Sequence, residues 1–403
     1  MDYRPLPDGA EDEFREMVSY AFSPEDGPFD AEEADEVPPP ARLGDKRGVF
    51  DAAGDLLAVC RHYWFDAPLR GQTVDLGGVS AVASPPENRR RGVVRFMLAE
   101  SLREYRESDV AFSALWPFKH PFYERMGWGV ATRYATHELA PEQLAPTREH
   151  TSGTIWRATP DDWEALQRVR AEHGAPYHLD FEQGGEWWEH RVFHSWDTDP
   201  YVYAWDGDGG ETRGYVVYTI TDGDGGRVLS TTDLAYADPD ARRNLLRFLA
   251  DHDSQVSTLK LTTTDDVDLV GLVSDDGEVE TTMKAGTMFR VVDVAGLERL
   301  DYPGDVEAAV TLRVEDDLAD WNDDTFRITV ADGTATVERV DDDPEIEANI
   351  AALSQLVAGF RTTAELRVRD GLTVERKEET KTDALDALDA AFPTHPTMVR
   401  EGF

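Results

Sequence analysis

Cysteine is almost missing from this chain: Cys60 stands alone among 403 residues. A single thiol cannot close an intrachain disulfide or supply a cysteine zinc site. Lysine is nearly as scarce, with Lys46, Lys119, Lys260, Lys284, Lys377 and Lys381 the only ones. No apolar run approaches the roughly 18 residues that a membrane-spanning helix needs. The opening Met1-Asp2-Tyr3-Arg4-Pro5 lacks the basic and apolar regions of a secretory signal. A soluble, cytoplasmic protein is the expectation. Positive charge is short overall: 40 Lys and Arg face 81 Asp and Glu, a formal net charge of −41. Nucleic-acid binding needs a basic patch, and this balance argues against one.

What is present argues for folded domains. Hydrophobic residues make up 40% and aromatics 10%, too much apolar content for a disordered acidic chain. The acidic residues run along the whole sequence, as in proteins of salt-in halophiles, where salt screens the self-repulsion of a large net charge. At about 1 M salt the Debye length is only about 3 Å. The length favours two or three domains.

The chain divides by pattern. Glu11–Ala21 reads as a short helix. Gly48–Phe50 and Leu56–Trp64 read as a hairpin around Ala53-Gly54-Asp55. Thr73–Val82 reads as a strand that Pro85-Pro86 ends. Val93–Tyr105 is helical, with Val94, Met97, Leu98, Leu102 and Tyr105 near one face. Val110–Trp116 reads as a buried strand, Pro121–Arg125 as a short helix ended by Gly127, and Gly129–His137 as a final strand. A second unit begins after Pro146. It carries a helix capped by Thr159-Pro160-Asp161-Asp162, strands at Tyr201–Trp205, Gly214–Ile220, Val228–Leu234 and Thr258–Thr263, and a helix at Ala241–Asp251. From Phe289 a third unit reads as strands at Phe326–Val330, Thr334–Arg339 and Glu365–Arg369, with helices at Ile346–Ala358 and Thr382–Phe392. Asp332-Gly333 is a hairpin turn signal. Residues 83–96 match residues 235–248 without a gap: Arg90, Arg91, Arg95 and Phe96 face Arg242, Arg243, Arg247 and Phe248, while Gly92 faces Asn244. That match indicates a domain duplication.

The chemistry centres on Arg89-Arg90-Arg91-Gly92-Val93-Val94. The first turn of a helix offers unpaired N–H groups and a dipole that favours anions. Gly92 lets backbone approach a phosphate closely, and the arginines add forked, charged donors. Tyr123, 31 residues after Gly92, lies in Phe122-Tyr123-Glu124-Arg125-Met126-Gly127-Trp128, which sets a tyrosine hydroxyl before a glycine turn. This layout resembles the GNAT superfamily of acyl-CoA-dependent N-acetyltransferases. The resemblance implies acetyl-CoA as co-substrate, its pyrophosphate at Arg89–Val94. Val79, Ser80, Ala81 and Val82 would run beside the pantetheine arm as an added strand would, with an N–H near Val82 facing the thioester carbonyl. The pattern is Gln/Arg-x-x-Gly-x-Gly/Ala, and Val94 departs from it at the last position. Asn244 in place of glycine implies that the second copy is degenerate, without cofactor.

Leu115-Trp116, the series Tyr123-x-Arg125-x-Gly127-x-Gly129 and the three-unit plan extend the resemblance to the Eis (enhanced intracellular survival) acetyltransferases. It implies an α/β chain of two GNAT-like domains, 1–146 and 147–288, followed by a sterol-carrier-protein-like domain, 289–403. It further implies direct transfer from acetyl-CoA to a primary amine of a small cationic or peptide acceptor. Tyr123 would protonate the departing thiolate, and the carboxylate of Phe403 would act as base. An α-carboxyl pKa of about 3.3–3.7 is low for a base in water, so burial or a bridging water is required. Phe22, Phe29, Trp64, Trp187, Trp188 and Glu401 are candidates for the acceptor pocket. Phe118 departs from the family, where a serine can stand. Family members form hexamers, which implies an oligomer here.

Other readings are weaker. His190 and His194 fall four apart near Glu186, but nothing completes a metal site, so no metal is expected. Trp187-Trp188 read as core anchors. The runs Asp206–Gly210 and Asp222–Gly226 lack calcium-loop spacing and read as hairpin turns. A polypeptide acceptor would need an open groove. The alternative from a different class is a non-catalytic acyl-CoA or lipid carrier, which needs neither Tyr123 nor a buried Phe403 terminus.

Overall fold

The computed structural model describes residues 1–31, 37–149, 151–369, 371–374 and 378–403, with side chains except at 378–382. The first stretch of chain forms β1 (Asp2–Pro5), α1 (Glu11–Phe22), β2 (Asp45–Phe50), β3 (Leu56–Leu69), β4 (Gln72–Ala83), α2 (Val93–Glu107), β5 (Phe112–Leu115), α3 (His120–Glu124), β6 (Gly129–Val130) and β7 (Arg133–Leu139). The second forms β8 (Thr154–Arg157), α4 (Trp163–Gly174), α5 (Gly185–Trp187), β9 (Tyr201–Asp206), β10 (Thr212–Gly223), β11 (Gly226–Tyr236), α6 (Pro239–Ala250), β12 (Thr258–Thr264), β13 (Glu280–Ala285) and β14 (Met288–Val291). The third forms β15 (Ala308–Glu315), β16 (Thr325–Ala331), β17 (Thr334–Arg339), β18 (Ile346–Asn349), α7 (Ile350–Ala358), α8 (Thr363–Val368), β19 (Leu372–Val374) and α9 (Glu378–Ala391). Among the described residues, no helix is long and apolar enough to cross a membrane.

Two seven-stranded sheets share one plan. The first runs β1-β2-β3-β4-β5-β14-β6 and the second β8-β9-β10-β11-β12-β7-β13. In each, the fourth and fifth strands are parallel, β4 with β5 and β11 with β12. The crossing helix is α2 in one and α6 in the other. The sixth strand is exchanged: β7 pairs with β12 and β13, and β14 pairs with β5 and β6. This differs from the contiguous division at 146 and 288. The expected final strand 129–137 is in fact two strands in different sheets, because the chain leaves the first sheet at Ala131. β7 alternates buried and partly exposed residues, a pattern that suits either sheet, so its partner is chosen by tertiary contact.

The duplication is real as topology, but the gapless match is not the structural one. α2 begins at Val93, whereas α6 begins at Pro239, so Arg242, Arg243 and Asn244 lie inside α6 rather than before it. The loop from β11 to α6 is simply shorter than the loop from β4 to α2.

The third unit is a sheet of order β17-β16-β15-β18-β19 with helices against it. Asp332 (φ 51°) and Gly333 (φ 77°) make the expected tight turn between β16 and β17. Two expectations fail here. Of Glu365–Arg369, residues 365–368 are helical and Arg369 is the C-cap, because Thr362 and Glu365 form a capping box that starts α8. The first four residues of Ile346–Ala358 are strand, and Asn349 caps the helix by accepting from the Ala352 N–H. The core of this unit is continuous with that of the other two: Val310, Leu356 and Phe392 belong to the same buried cluster as Phe65, Phe289 and Trp187.

Candidate active site

The site is built where β4 and β5 part. Their parallel ladder covers only Leu76–Gly78 against Phe112–Ala114. Past Gly78, β4 runs on to Ala83 with no strand on its β5 side. A bulge sits on this free stretch. Register with β3 shifts between Arg61↔Ser80 and Val59↔Ala83, and Ala81 takes a left-handed φ of 49°. A bulge re-aims backbone groups at the cost of a ladder pair. Val79–Ala83 therefore presents an unpaired strand edge at the mouth of the cleft.

Helix α2 starts beside that edge. Gly92 is its N-cap at φ 81°, and no side chain caps the first turn. An added Cβ at Gly92 would meet nothing within 4 Å, so the backbone there is open to a ligand. The arginines divide their work. Arg89 donates to the Ser84 carbonyl (3.2 Å) and lies over the Tyr20 ring, and Arg91 donates to Asn88 Oδ1 (2.9 Å). Arg90, at φ 59°, has no hydrogen bond or ion pair among the described residues. Two arginines brace the loop, and the third is an uncommitted cation beside the open helix start.

Tyr123 enters from α3. It is buried, sharing a cluster with Val79, Leu98, Leu115 and Trp128, against which Val82 and Val94 pack. Burial raises its pKa, so the hydroxyl keeps its proton. Among the described residues, no hydrogen bond engages that hydroxyl. The turn after it is tied to the third unit. Arg290 of β14 donates through Nη1 to the Met126 carbonyl and through Nη2 to both carboxylate oxygens of buried Asp316 (2.7 and 2.6 Å). Gly127, at φ 87°, leaves the space that the Arg290 guanidinium fills. A cavity of about 830 Å³ opens behind this turn, between it and the third unit, lined by residues of both charge signs including Arg125, Arg133, Asp317 and Arg369.

Phe403 arrives on the other face of β4. Its ring packs edge-on against Tyr63, Phe65 and Phe181, with centroids 5.9, 5.0 and 5.7 Å away. Gly78 makes this possible, since a Cβ there would lie 2.9 Å from the Phe403 ring and 2.6 Å from Phe65. A Cβ added at Gly402 would lie 3.3 Å from the Trp116 ring, just past β5. Alternation along β4 turns Gly77 toward Tyr105 and Gly78 toward Phe403. The last residue and Tyr123 thus flank β4 from opposite sides, at the point where β4 and β5 separate. Tyr123 and Phe403 both reach β4, and the Arg89–Val94 turn follows its end.

The expected pocket residues scatter more widely. Trp187 and Glu401 come together, Nε1 donating to the carboxylate at 2.8 Å. Burial, partly offset by Arg170, raises the Glu401 pKa. Trp188 is wholly buried and donates to Gln167, a core anchor as expected. Trp64 is exposed and donates to Asp45, and Phe22 and Phe118 are exposed. Phe29 lies under Arg15. His190 ends in a π-helical turn that closes at Val192, and His194 lies beyond it, paired with Asp199. Sequence reasoning missed Gly78, whose only signal was the Gly77-Gly78 pair inside a strand.

Comparison with known proteins agrees with this fold. Residues 2–131 and residues 182–291 each match a model of the acetyltransferase (GNAT) domain, and residues 294–400 match the sterol carrier protein domain. The chain thus carries two GNAT acetyltransferase domains followed by a sterol-carrier-like domain. Among individual proteins it is similar to the N-acetyltransferase Eis of Mycobacterium tuberculosis, 27% identical over 78% of this chain and 77% of that one. An uncharacterized N-acetyltransferase of Streptomyces griseus is 25% identical over 98% of this chain and 97% of its own. Eis1 from Mycobacterium abscessus superposes with a TM-score of 0.77 at 25% identity, each chain covered fully. A GCN5-related N-acetyltransferase from Anabaena variabilis shares the fold over both whole chains, with TM-score 0.85 at 21% identity.

Proposed function

We propose that this protein transfers an acetyl group from acetyl-CoA directly to a primary amine of a small cationic or peptide acceptor. The pyrophosphate rests on the N–H groups of Val93 and Val94, with Arg90 as counter-charge and Arg89 and Arg91 holding the loop. The pantetheine pairs along Val79, Ser80, Ala81 and Val82, and the thioester carbonyl faces the bulged backbone near Val82. The amine nitrogen attacks that carbonyl, a C–N bond forms and the C–S bond breaks. Tyr123 gives its proton to the leaving thiolate, and the Phe403 carboxylate takes the proton released by the amine. The observation that carries this reading is the delivery of Tyr123 and Phe403 to opposite faces of β4 where it leaves β5. A carrier has no use for either.

Calorimetry of acetyl-CoA binding in multimolar KCl, with wild type and Gly92→Asp, tests the cofactor site. We expect binding by the wild type and its loss in the variant, whose carboxylate would meet the phosphates. Absence of binding by a folded wild type would overturn the reading. From the Eis resemblance we infer a hexamer, and from the net charge of −41 a saline working medium. Light scattering of one sample in concentrated and then dilute KCl reads both, and a monomer indifferent to salt would remove both.

A further inference from the structure

The second GNAT domain repeats the cleft of the first. β11 and β12 pair only at Val228–Ser230 with Thr258–Lys260, then part. β11 carries its own bulge there: Val217↔Asp233 is followed by Tyr218↔Thr231, leaving Thr232 extra. Two features close this copy to a CoA. Asp238 caps α6, accepting from the Ala241 N–H at 2.8 Å, so a carboxylate sits where the first domain leaves an open helix start. The cleft itself is filled by the chain's own end, Met398, Val399 and Arg400, leaving only about 50 Å³.

The fit is chemically specific. His178 brackets Thr397 in a parallel bridge, donating to the Pro396 carbonyl and accepting from the Met398 N–H, both at 2.9 Å. Arg400 donates to Asp180 (3.3 Å), to Asp233 beside the bulge (3.0 Å) and to the Leu234 carbonyl (3.3 Å). Arg170 pairs with the same two aspartates, at 2.9 and 3.4 Å, and Tyr215 donates to Asp233 at 2.5 Å. The two guanidiniums and two carboxylates are buried with side chains no more than 5% exposed. The set is neutral as a whole. Burial opposes ionisation of Asp233, but Arg400 and Arg170 overcome it and hold its pKa below the usual range. The next residues are held in turn: Glu401 by Trp187, and the Gly402 carbonyl by Arg191 at 2.6 Å.

We propose that the cofactor cleft of the second domain has become a socket for the C-terminal segment Thr397–Arg400, with Arg400 and Asp233 as positioning residues that place the Phe403 terminus at the first domain's cleft. The catalytic part rests on the transfer reaction proposed above; the socket does not. A terminus is ordinarily frayed, and misplacing a catalytic group by about 1 Å can cost about a hundredfold in rate. A buried clamp three residues from the end removes that freedom.

The test uses the full chain. Arg400→Met combined with Asp233→Asn keeps the net charge and leaves Arg170 paired with Asp180. We expect carboxypeptidase to release Phe403 about tenfold or more faster than from wild type, following the local opening. We expect kcat to fall about tenfold or more while acetyl-CoA affinity holds. Arg400→Lys, which keeps one charge pair, should recover part of both losses. If the double variant does not fold, amide exchange in wild type decides: the Met398 and His178 amides, which bridge the tail to His178, should be as protected as β11. Fast exchange there, unchanged Phe403 release in a folded variant, or faster release with unchanged kcat would each overturn the proposal. Proteolysis and exchange need no activity. A protected tail on a protein that binds no acetyl-CoA would therefore refute the transferase reading and leave the socket standing.

Discussion

Tyr123 is unusual among the buried tyrosines here in having nothing to hydrogen-bond. Tyr105 donates to the Gly78 carbonyl, Tyr215 to Asp233 and Tyr302 to the Leu297 carbonyl. Its ring is buried while its oxygen is not sealed from solvent, which leaves the hydroxyl open to a leaving thiolate. Tyr123→Phe should then lower kcat by about a hundredfold or more, the usual range for a positioned acid. It should leave the melting temperature unchanged or slightly higher, because no protein partner is orphaned. The pair of measurements is discriminating: a melting temperature several degrees lower with unchanged kcat would make Tyr123 a structural residue. Gly92 and Tyr123 were legible in the sequence because their signals are local, a left-handed cap before a helix and a ring before a glycine turn. Arg400 was not, because its partner Asp233 lies 167 residues away and nothing in Val399-Arg400-Glu401 announces a socket.

At the scale of elements, legibility follows the same boundary between local and distant causes. The α2 pattern, the Asp332-Gly333 turn and the Thr159–Asp162 cap came through because their determinants lie within a few residues. Glu365–Arg369 failed on a local competition, a capping box outweighing an alternating pattern. The exchange of β7 and β14 was invisible, since a half-buried strand reads the same whichever sheet takes it. That exchange makes a prediction about domains. Residues 1–146 expressed alone would lack β14, which sits between β5 and β6, and would carry β7 without β12 and β13. The fragment should be insoluble or lack a cooperative unfolding transition, with an unpaired edge inviting aggregation. A soluble fragment that unfolds cooperatively would show that the first domain is independent of the exchange.

For the whole molecule, acid should act first through buried histidines rather than through the acidic surface. His62 is wholly buried against Ser101 and Tyr105, and burial holds its pKa down to about 4 from 6.5. His173 and His178 are also lowered to about 4, chiefly by burial. His178 has both ring nitrogens engaged, one with the Arg70 N–H and one with the Ala358 carbonyl, while its backbone holds the tail. The folded pKa lies below the unfolded value, so the unfolded chain takes up these protons first. The stability they preserve is complete above pH 6.5 and is lost as pH falls through 6.5 toward 4. Between pH 6.5 and 5, His62 alone accounts for about 2 kcal/mol. Unperturbed carboxylates titrate below that window, at about 3.9–4.3, and in concentrated KCl their mutual repulsion is already screened. Denaturant midpoints measured from pH 7.5 to 5 in multimolar KCl should therefore decline steadily below pH 6.5. Because His178 grips the C-terminal segment, Phe403 should become more accessible to carboxypeptidase over the same range. A midpoint that stays flat to pH 5 would mean that these imidazoles are protonated in the folded protein without cost, and unchanged release of Phe403 would mean that the tail is indifferent to the His178 ring.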